Sequence, residues 1–371
     1  MRLVFFIKSV ANPGGGAERV LSQVASGLAK RGHEVTVASS DDEGSLPYYP
    51  LDPSVELIFL GVGKTSRTST LCDVAKRMRA FRKTVCDFKP DAIVGFMHST
   101  FIPLGLSLFG TKSRLVASEH IGPEHYRPRP LQWLLLQLTP ILCESTTVVS
   151  EQIRLSFNSW LRRRMVVIPN PVSIVESPSS HHLRDEDRPV ILSVGRLAEQ
   201  KDHRTLISAF ARVAEHNPHI RLRIAGDGDL RPALEAQILK LGLNDRIELP
   251  GVMSDMDSEY RAATLFVLPS RYESFGLATA EALGHGLPAV GFADCPGTNE
   301  LIVDGVNGRL VSGPDRVNAL ADMLLELMSD SAQRQRLAGA ASQSIINRFG
   351  VEYVLDIWEA LLTRTVRSCA A

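Results

Sequence analysis

Apolar and polar positions along this chain fall into two successive blocks of alternating strand-like and helix-like segments. Residues 3–7 form a continuous apolar run, the pattern of a strand buried on both faces. A Gly-rich loop follows. Val20, Leu21, Val24, Ala25 and Leu28 then recur at helical spacing until Gly32 ends the helix. Residues 35–38 and 55–60 read as strands and 72–88 as a helix, and 92–96, 114–118 and 146–149 return to strand. Such alternation predicts βαβ units and a mostly parallel sheet.

The second block restarts the pattern after a polar stretch, 178–188, that reads as a linker. A strand at 190–194 runs into Gly195-Arg196, and another at 221–225 runs into Gly226-Asp227-Gly228. Strands at 247–249, 265–268 and 289–292 follow. A last helix, 351–365, sets Val354, Ile357, Trp358, Leu361 and Leu362 on one face and needs an apolar surface to cover. The pattern predicts two Rossmann-like units, and 371 residues is also too long for one ordinary core. Ligands of open parallel sheets sit beyond the carboxyl ends of the strands, where every Gly-rich loop here falls. Two such domains imply a cleft with a loop-built site on each wall.

Composition narrows the class. With 44% apolar and 22% charged residues the chain is globular rather than disordered. Lys plus Arg equals Asp plus Glu at 41 each, so no nucleic-acid partner is indicated. Cys72, Cys86, Cys143, Cys295 and Cys369 are odd in number and none stands at metal-ligand spacing, which fits a reduced, cytoplasmic setting. The apolar N-terminus is short and reads as a first strand, not a signal peptide. No stretch reaches the roughly 18–20 apolar residues that span a bilayer, and the run 131–143 contains Pro140.

Three segments carry candidate chemistry. In Gly14-Gly15-Gly16-Ala17-Glu18-Arg19, glycines admit a ligand close to the backbone and a helix start favours an anion. The same loop also fits a tight turn with no ligand, and it matches neither the dinucleotide fingerprint nor the P-loop. Gly195-Arg196 with Lys201 puts two cations at a strand mouth, suited to a diphosphate or to an ordinary solvated surface. Glu273-Ser274-Phe275-Gly276 with Glu281 sets one carboxylate in a loop and another one turn up a helix. They fit an anion flanked by two hydroxyl-reading groups, or acids in a helix's first turns.

Together these motifs resemble the GT-B glycosyltransferase family 4, whose members are retaining transferases. Gly226-Asp227-Gly228-Asp229-Leu230 and Asp304-Gly305-Val306-Asn307-Gly308 add to the likeness, which covers nearly the whole chain. The resemblance implies two Rossmann-like domains with parallel sheets facing a central cleft, 1–175 for the acceptor and 176–350 for the nucleotide sugar. Residues 351–371 would cross back onto the first domain. It further implies that Arg196 and Lys201 bind the diphosphate, Glu281 the ribose and Glu273 the donor hexose. The Phe275, Gly276 and Leu277 amides would lie near phosphate and sugar. Gly15 and Gly16 would close over the phosphates, with the base near Gly226 and Val252. His120, which alone reads as an ordinary loop histidine, falls where the family places an active-site His. No bound cofactor or metal is expected, because no metal-spaced cluster is visible and family members generally lack one.

The acceptor side rests on a helix from Asp73 to Asp87. Val74, Met78, Phe81 and Val85 form its stripe, and Lys76, Arg77, Arg79, Arg82 and Lys83 form a basic cluster suited to an anionic membrane or to solvent. Arg127, Arg129 and Arg162-Arg163-Arg164 add charge in the same half. Ser118-Glu119-His120 and Tyr126-Arg127-Pro128 resemble bacterial transferases that extend polyprenyl-diphosphate-linked oligosaccharides with N-acetylgalactosamine. The expectation is therefore a retaining transferase of a hexose or N-acetylhexosamine, UDP-linked, acting on a lipid-carrier-linked glycan at the inner face of the cytoplasmic membrane. The rivals are a GDP-mannose-dependent mannosyltransferase, a soluble sucrose-phosphate-type or glycogen-type enzyme, and a non-catalytic carbohydrate-binding protein.

Overall fold

The computed structural model describes residues 1–11, 15–62, 70–111, 113–172 and 188–367. Gly14, Cys369 and all of the linker but Arg188 lie outside them, as does residue 175, where the sequence places the domain break. Contacts divide the chain into two compact units, Met1–Pro171 with Val351–Ala371 and Val172–Gly350.

The first unit runs β1 (Arg2–Ile7), α1 (Gly16–Lys30), β2 (Glu34–Ser39), β3 (Glu56–Phe59), α2 (Leu71–Phe88), β4 (Ala92–Phe96), α3 (His98–Leu108), β5 (Leu115–Glu119), α4 (Pro130–Leu136), α5 (Thr139–Leu142), β6 (Ser145–Val148), α6 (Glu151–Ser156), α7 (Ser159–Arg162) and β7 (Met165–Val167). The second runs β8 (Val190–Val194), α8 (His203–His216), β9 (Arg221–Ala225), α9 (Arg231–Lys240), β10 (Ile247–Gly251), α10 (Met256–Ala262), β11 (Leu265–Leu268), α11 (Leu277–Gly284), β12 (Ala289–Phe292), α12 (Thr298–Leu301), β13 (Gly308–Val311), α13 (Arg316–Ser329) and α14 (Ser331–Phe349). The chain then returns to the first unit as α15 (Val351–Arg367).

Both sheets are parallel and doubly wound. Their orders are β3-β2-β1-β4-β5-β6-β7 and β10-β9-β8-β11-β12-β13. The order reverses between β1 and β4 in one and between β8 and β11 in the other, and ligands bind at such switch points. Right-handed crossovers put α1 on one face of the first sheet and α2 and α3 on the other.

The last helix completes the first unit's core. Val354, Leu355, Trp358, Leu361 and Leu362 are buried in one cluster with Val20, Val24 and Leu28 of α1. Ile357 is only half-buried and packs at its margin. Around the polar edge of this contact, Arg31 bridges Glu352, Asp356 and Glu359 at 2.6–3.0 Å.

Two short strands, β7 and β13, escape the sequence pattern. They are half-buried edges of three and four residues, too short and mixed to alternate visibly. One further correction concerns α2. Arg77 is buried at 4% exposure, on the Phe81 and Thr84 stripe rather than in the exposed basic cluster, and burial lowers its pKa. Lys76, Arg79, Arg82 and Lys83 do face outward, Arg82 bonding the Ser107 carbonyl at 2.8 Å and Lys83 pairing with Asp87 at 3.2 Å.

Candidate functional site

The second unit holds the densest constellation, at its switch point. β8 runs into Gly195, whose amide donates to the Ala225 carbonyl at 3.0 Å, and the Gly226 amide donates to the Gly251 carbonyl at 2.7 Å. Three strand ends are thereby tied into one rim. Gly226 sits at φ 139°, and a Cβ there would overlap the Gly195 carbonyl, so only glycine lets the two turns meet. Val252, beside Gly251, is exposed on this rim.

Lys201 ends a 3-10 turn, Glu199–Lys201, just before α8. Glu273 lies in the loop after β11, the strand that pairs with β8. Their side chains meet: Lys201 Nζ donates to Glu273 Oε1 at 2.6 Å, with both groups largely buried. Ser270 Oγ donates to the same oxygen at 2.6 Å. One carboxylate oxygen is therefore doubly engaged, which fixes the group's orientation. Arg196 is on the same rim, exposed, and its guanidinium makes no hydrogen bond or ion pair among the described residues.

α11 starts where that loop ends. Gly276 is its N-cap at φ 86° and brings no side chain to cap it. The first-turn amides thus lack the oxygen that Ser, Asp or Asn would supply, which suits an incoming anion. Phe275 points its ring into the core against Phe349, centroids 5.2 Å apart, so its backbone amide is the part left for a ligand. Glu281, one turn up, is buried and accepts from Tyr260 of α10 at 2.9 Å. Tyr260 is a partner that no local motif reveals.

In the first unit, Gly15 is the N-cap of α1 and Gly16 its exposed first residue. The Glu18 carboxylate folds back to where a Cβ on Gly15 would stand. His120 follows β5. Its Nε2 is 2.9 Å from Ser118 Oγ, which accepts from Thr147, and its ring stacks on Phe96 at 5.3 Å. Burial lowers its pKa to about 4 against a smaller opposing pull from Asn170, so the ring is neutral at pH 7.

The sequence reading missed the group beside it. Glu119 is 1% exposed and accepts from Tyr126 Oη at 2.7 Å and from the Ile121 amide at 3.0 Å. Tyr126 Oη also lies 2.9 Å from His98 Nδ1, at the start of α3 on the switch point. Burial pushes Glu119 up to about 7 and, with His125 and Arg129, pushes His98 down to about 4. Their 3.8 Å contact is therefore not a charged pair. Only the position of Glu119 at the end of a buried strand could have signalled this.

A raised Glu pKa has a definite sign. Between its ordinary 4.5 and about 7 the native state holds a proton that the unfolded chain releases, so stability falls as pH rises through that window. Glu119→Gln is expected to stabilise the protein by about 1–3 kcal/mol at pH 8, the gain shrinking toward pH 5. Denaturation at both pH values checks this, and an equal difference at each would refute it.

Among the described residues no group of three or more His, Cys, Asp or Glu could hold a metal ion. The site's main parts are a cationic strand mouth, an uncapped helix start and two fixed carboxylates. A sequence profile described as Glycosyltransferase Family 4 matches residues 14–176, and one described as Glycosyl transferases group 1 matches 176–344. The chain is a glycosyltransferase with a family 4 domain and a group 1 domain. This glycosyltransferase is 26% identical, over 98% of each chain, to an α-1,4-N-acetyl-D-galactosaminyltransferase of Campylobacter jejuni named for the acceptor GalNAc-α-(1→4)-GalNAc-α-(1→3)-diNAcBac-PP-undecaprenol. It is also 26% identical, over 97% of its length and 99% of the relative's, to an amylovoran biosynthesis glycosyltransferase of Erwinia amylovora. Among solved structures, sucrose-phosphate synthase from Thermosynechococcus elongatus matches with TM-score 0.82 at 20% identity, covering 99% of both chains. An Anabaena protein in complex with UDP and glucose matches with TM-score 0.77 at 22% identity, covering 98% of this glycosyltransferase and 99% of that chain. The fold is GT-B, and the enzyme is a glycosyltransferase.

Proposed function

We propose that this glycosyltransferase moves a hexose or N-acetylhexosamine from a UDP-linked donor, with retention of anomeric configuration, onto a polyprenyl-diphosphate-linked glycan. The donor reading is carried by the Lys201–Glu273 pair at the second sheet's switch point, beside the uncapped start of α11. In this reading Lys201, Arg196 and the first-turn amides of α11 take up the charge growing on the departing diphosphate, with little reorganisation because they are already set. Glu273 keeps Oε2 for sugar hydroxyls, and Glu281 reads the ribose.

Retention arises when the acceptor enters on the face that the diphosphate leaves. The acceptor oxygen bonds to the anomeric carbon as the carbon–oxygen bond to diphosphate breaks, and the acceptor proton passes to a released phosphate oxygen. The side-chain cations neutralise the leaving group here, so a chelator is expected to leave turnover unchanged.

A panel of UDP- and GDP-sugars assayed for nucleoside diphosphate release tests the donor. Turnover of a UDP-hexose or UDP-N-acetylhexosamine is expected. Turnover of GDP-mannose alone would replace this reading with a mannosyltransferase, and failure to bind any nucleoside diphosphate would remove the donor-site assignment.

The acceptor reading is supported by the acceptor of the Campylobacter jejuni relative and by one face of the first unit. No helix among the described residues is long and apolar enough to cross a membrane. Peripheral contact has two supports on the helices opposite α1. Lys76, Arg79 and Lys83 of α2 are exposed, and Leu131, Leu134 and Ile141 of α4 and α5 are 60–68% exposed. Exposed cations and exposed apolar side chains together suit an anionic bilayer surface. The free thiols of Cys72, Cys86, Cys143 and Cys295 suit its cytoplasmic side. Changing Lys76, Arg79 and Lys83 together to Glu is expected to abolish co-sedimentation with anionic vesicles. Unchanged binding would sink the basic-helix contact.

A further inference from the structure

Arg316 is the first residue of α13, where a cation faces the positive end of the helix. Its contacts offset that cost. Nη2 donates to the carbonyls of Pro269 at 3.0 Å and Ser270 at 3.2 Å. Nη1 donates to both Asp294 carboxylate oxygens at 2.9 and 3.1 Å, and the guanidinium carbon lies 3.5 Å over the Phe292 ring. Pro269 and Ser270 open the loop that carries Glu273, and it is the Ser270 hydroxyl that holds the Glu273 carboxylate.

The remaining edge of the guanidinium faces the turn that carries Lys201. Arg316 Nε is 3.7 Å from Oδ2 of Asp202, the residue after Lys201. Asp202 is buried, in left-handed backbone at φ 51°, and ion-pairs with Arg271 of the Glu273 loop at 3.1 Å. Arg316 thus touches both segments whose side chains meet in the Lys201–Glu273 pair, while touching neither side chain itself.

We propose that Arg316 is a positioning residue that sets the spacing of the Lys201 turn against the Glu273 loop, and so places Lys201 for the donor diphosphate. The fork explains the choice of residue. Two carbonyls, a carboxylate and an aromatic face surround one planar group, whereas a lysine ammonium on the same helix position reaches only part of that set and cannot stack. The inference rests on Lys201 being the diphosphate-binding cation of the Proposed function.

The test is a double-mutant cycle read by calorimetric binding of UDP and of GDP to the full chain, with thermal unfolding in parallel. Arg316→Met is expected to weaken binding of the preferred nucleotide about tenfold in the wild-type background and less than twofold in the Lys201→Ala background. Arg316→Lys is expected to fall between wild type and Met and serves the same cycle if the Met variant does not fold. An equal loss in both backgrounds would make Arg316 a purely structural group and overturn the proposal. Wild-type protein that binds neither nucleotide would overturn the donor reading beneath it, an outcome distinct from an additive cycle.

Discussion

Changing Lys201 or Glu273 to Ala is expected to remove at least about 2–3 kcal/mol of transition-state stabilisation, roughly a 30- to 160-fold loss of kcat/KM for the donor. The two losses should not add. Truncating Lys201 strands a largely buried carboxylate, and truncating Glu273 takes away the carboxylate that holds the ammonium, so each single change already disables the pair. Glu273→Gln separates the roles, because Gln can still accept from Ser270 and bond a hydroxyl but no longer offsets the lysine charge. Steady-state kinetics on the best donor checks the set. A Lys201→Ala enzyme within threefold of wild type would exclude Lys201 from the diphosphate.

The second large effect is structural. Trp358→Ala is expected to destabilise the first unit by about 3–5 kcal/mol, the range for an aromatic side chain removed from a core. Trp358 is 2% exposed and stacks on Phe96 at 6.3 Å, and Phe96 stacks in turn on His120. Loss of the indole should therefore loosen the His120 ring as well as the core. Two units do not promise one transition, so hydrogen exchange resolved along the chain is the right measurement. Protection should fall in β1, β4, α1 and α15 while β8 and β11 keep theirs. A loss under about 1 kcal/mol would mean that the site collapses around the gap.

Much of this architecture was legible because it is periodic. Buried parallel strands such as Leu265–Leu268 are continuous apolar runs, and Gly226 after β9 marks where backbone must approach backbone. Lys201 and Glu273 stand out in local motifs, and the structure joins them. Residues that act across the fold leave no such trace. Arg316 lies 46 residues from Ser270 and reads as any charged helix start. Tyr260 holds Glu281 from a different helix, and Arg77 looks like its exposed neighbours although its helical phase turns it inward. Glu119 reads as polar punctuation after a strand, and only its burial reveals a carboxyl group displaced toward neutrality.

The second unit is inserted within the first: the chain leaves the first unit at Pro171 and re-enters it at Val351. During synthesis the ribosome must therefore make all of Val172–Gly350 before α15 exists. At about 5–20 residues per second that interval lasts on the order of ten to forty seconds. For that time Val20, Val24 and Leu28 of α1 have no α15 to cover them. The second unit needs no later segment and can fold first, so the docking of α15 is the step that closes the first unit, and the waiting first unit is where a chaperone or a protease would find the nascent chain.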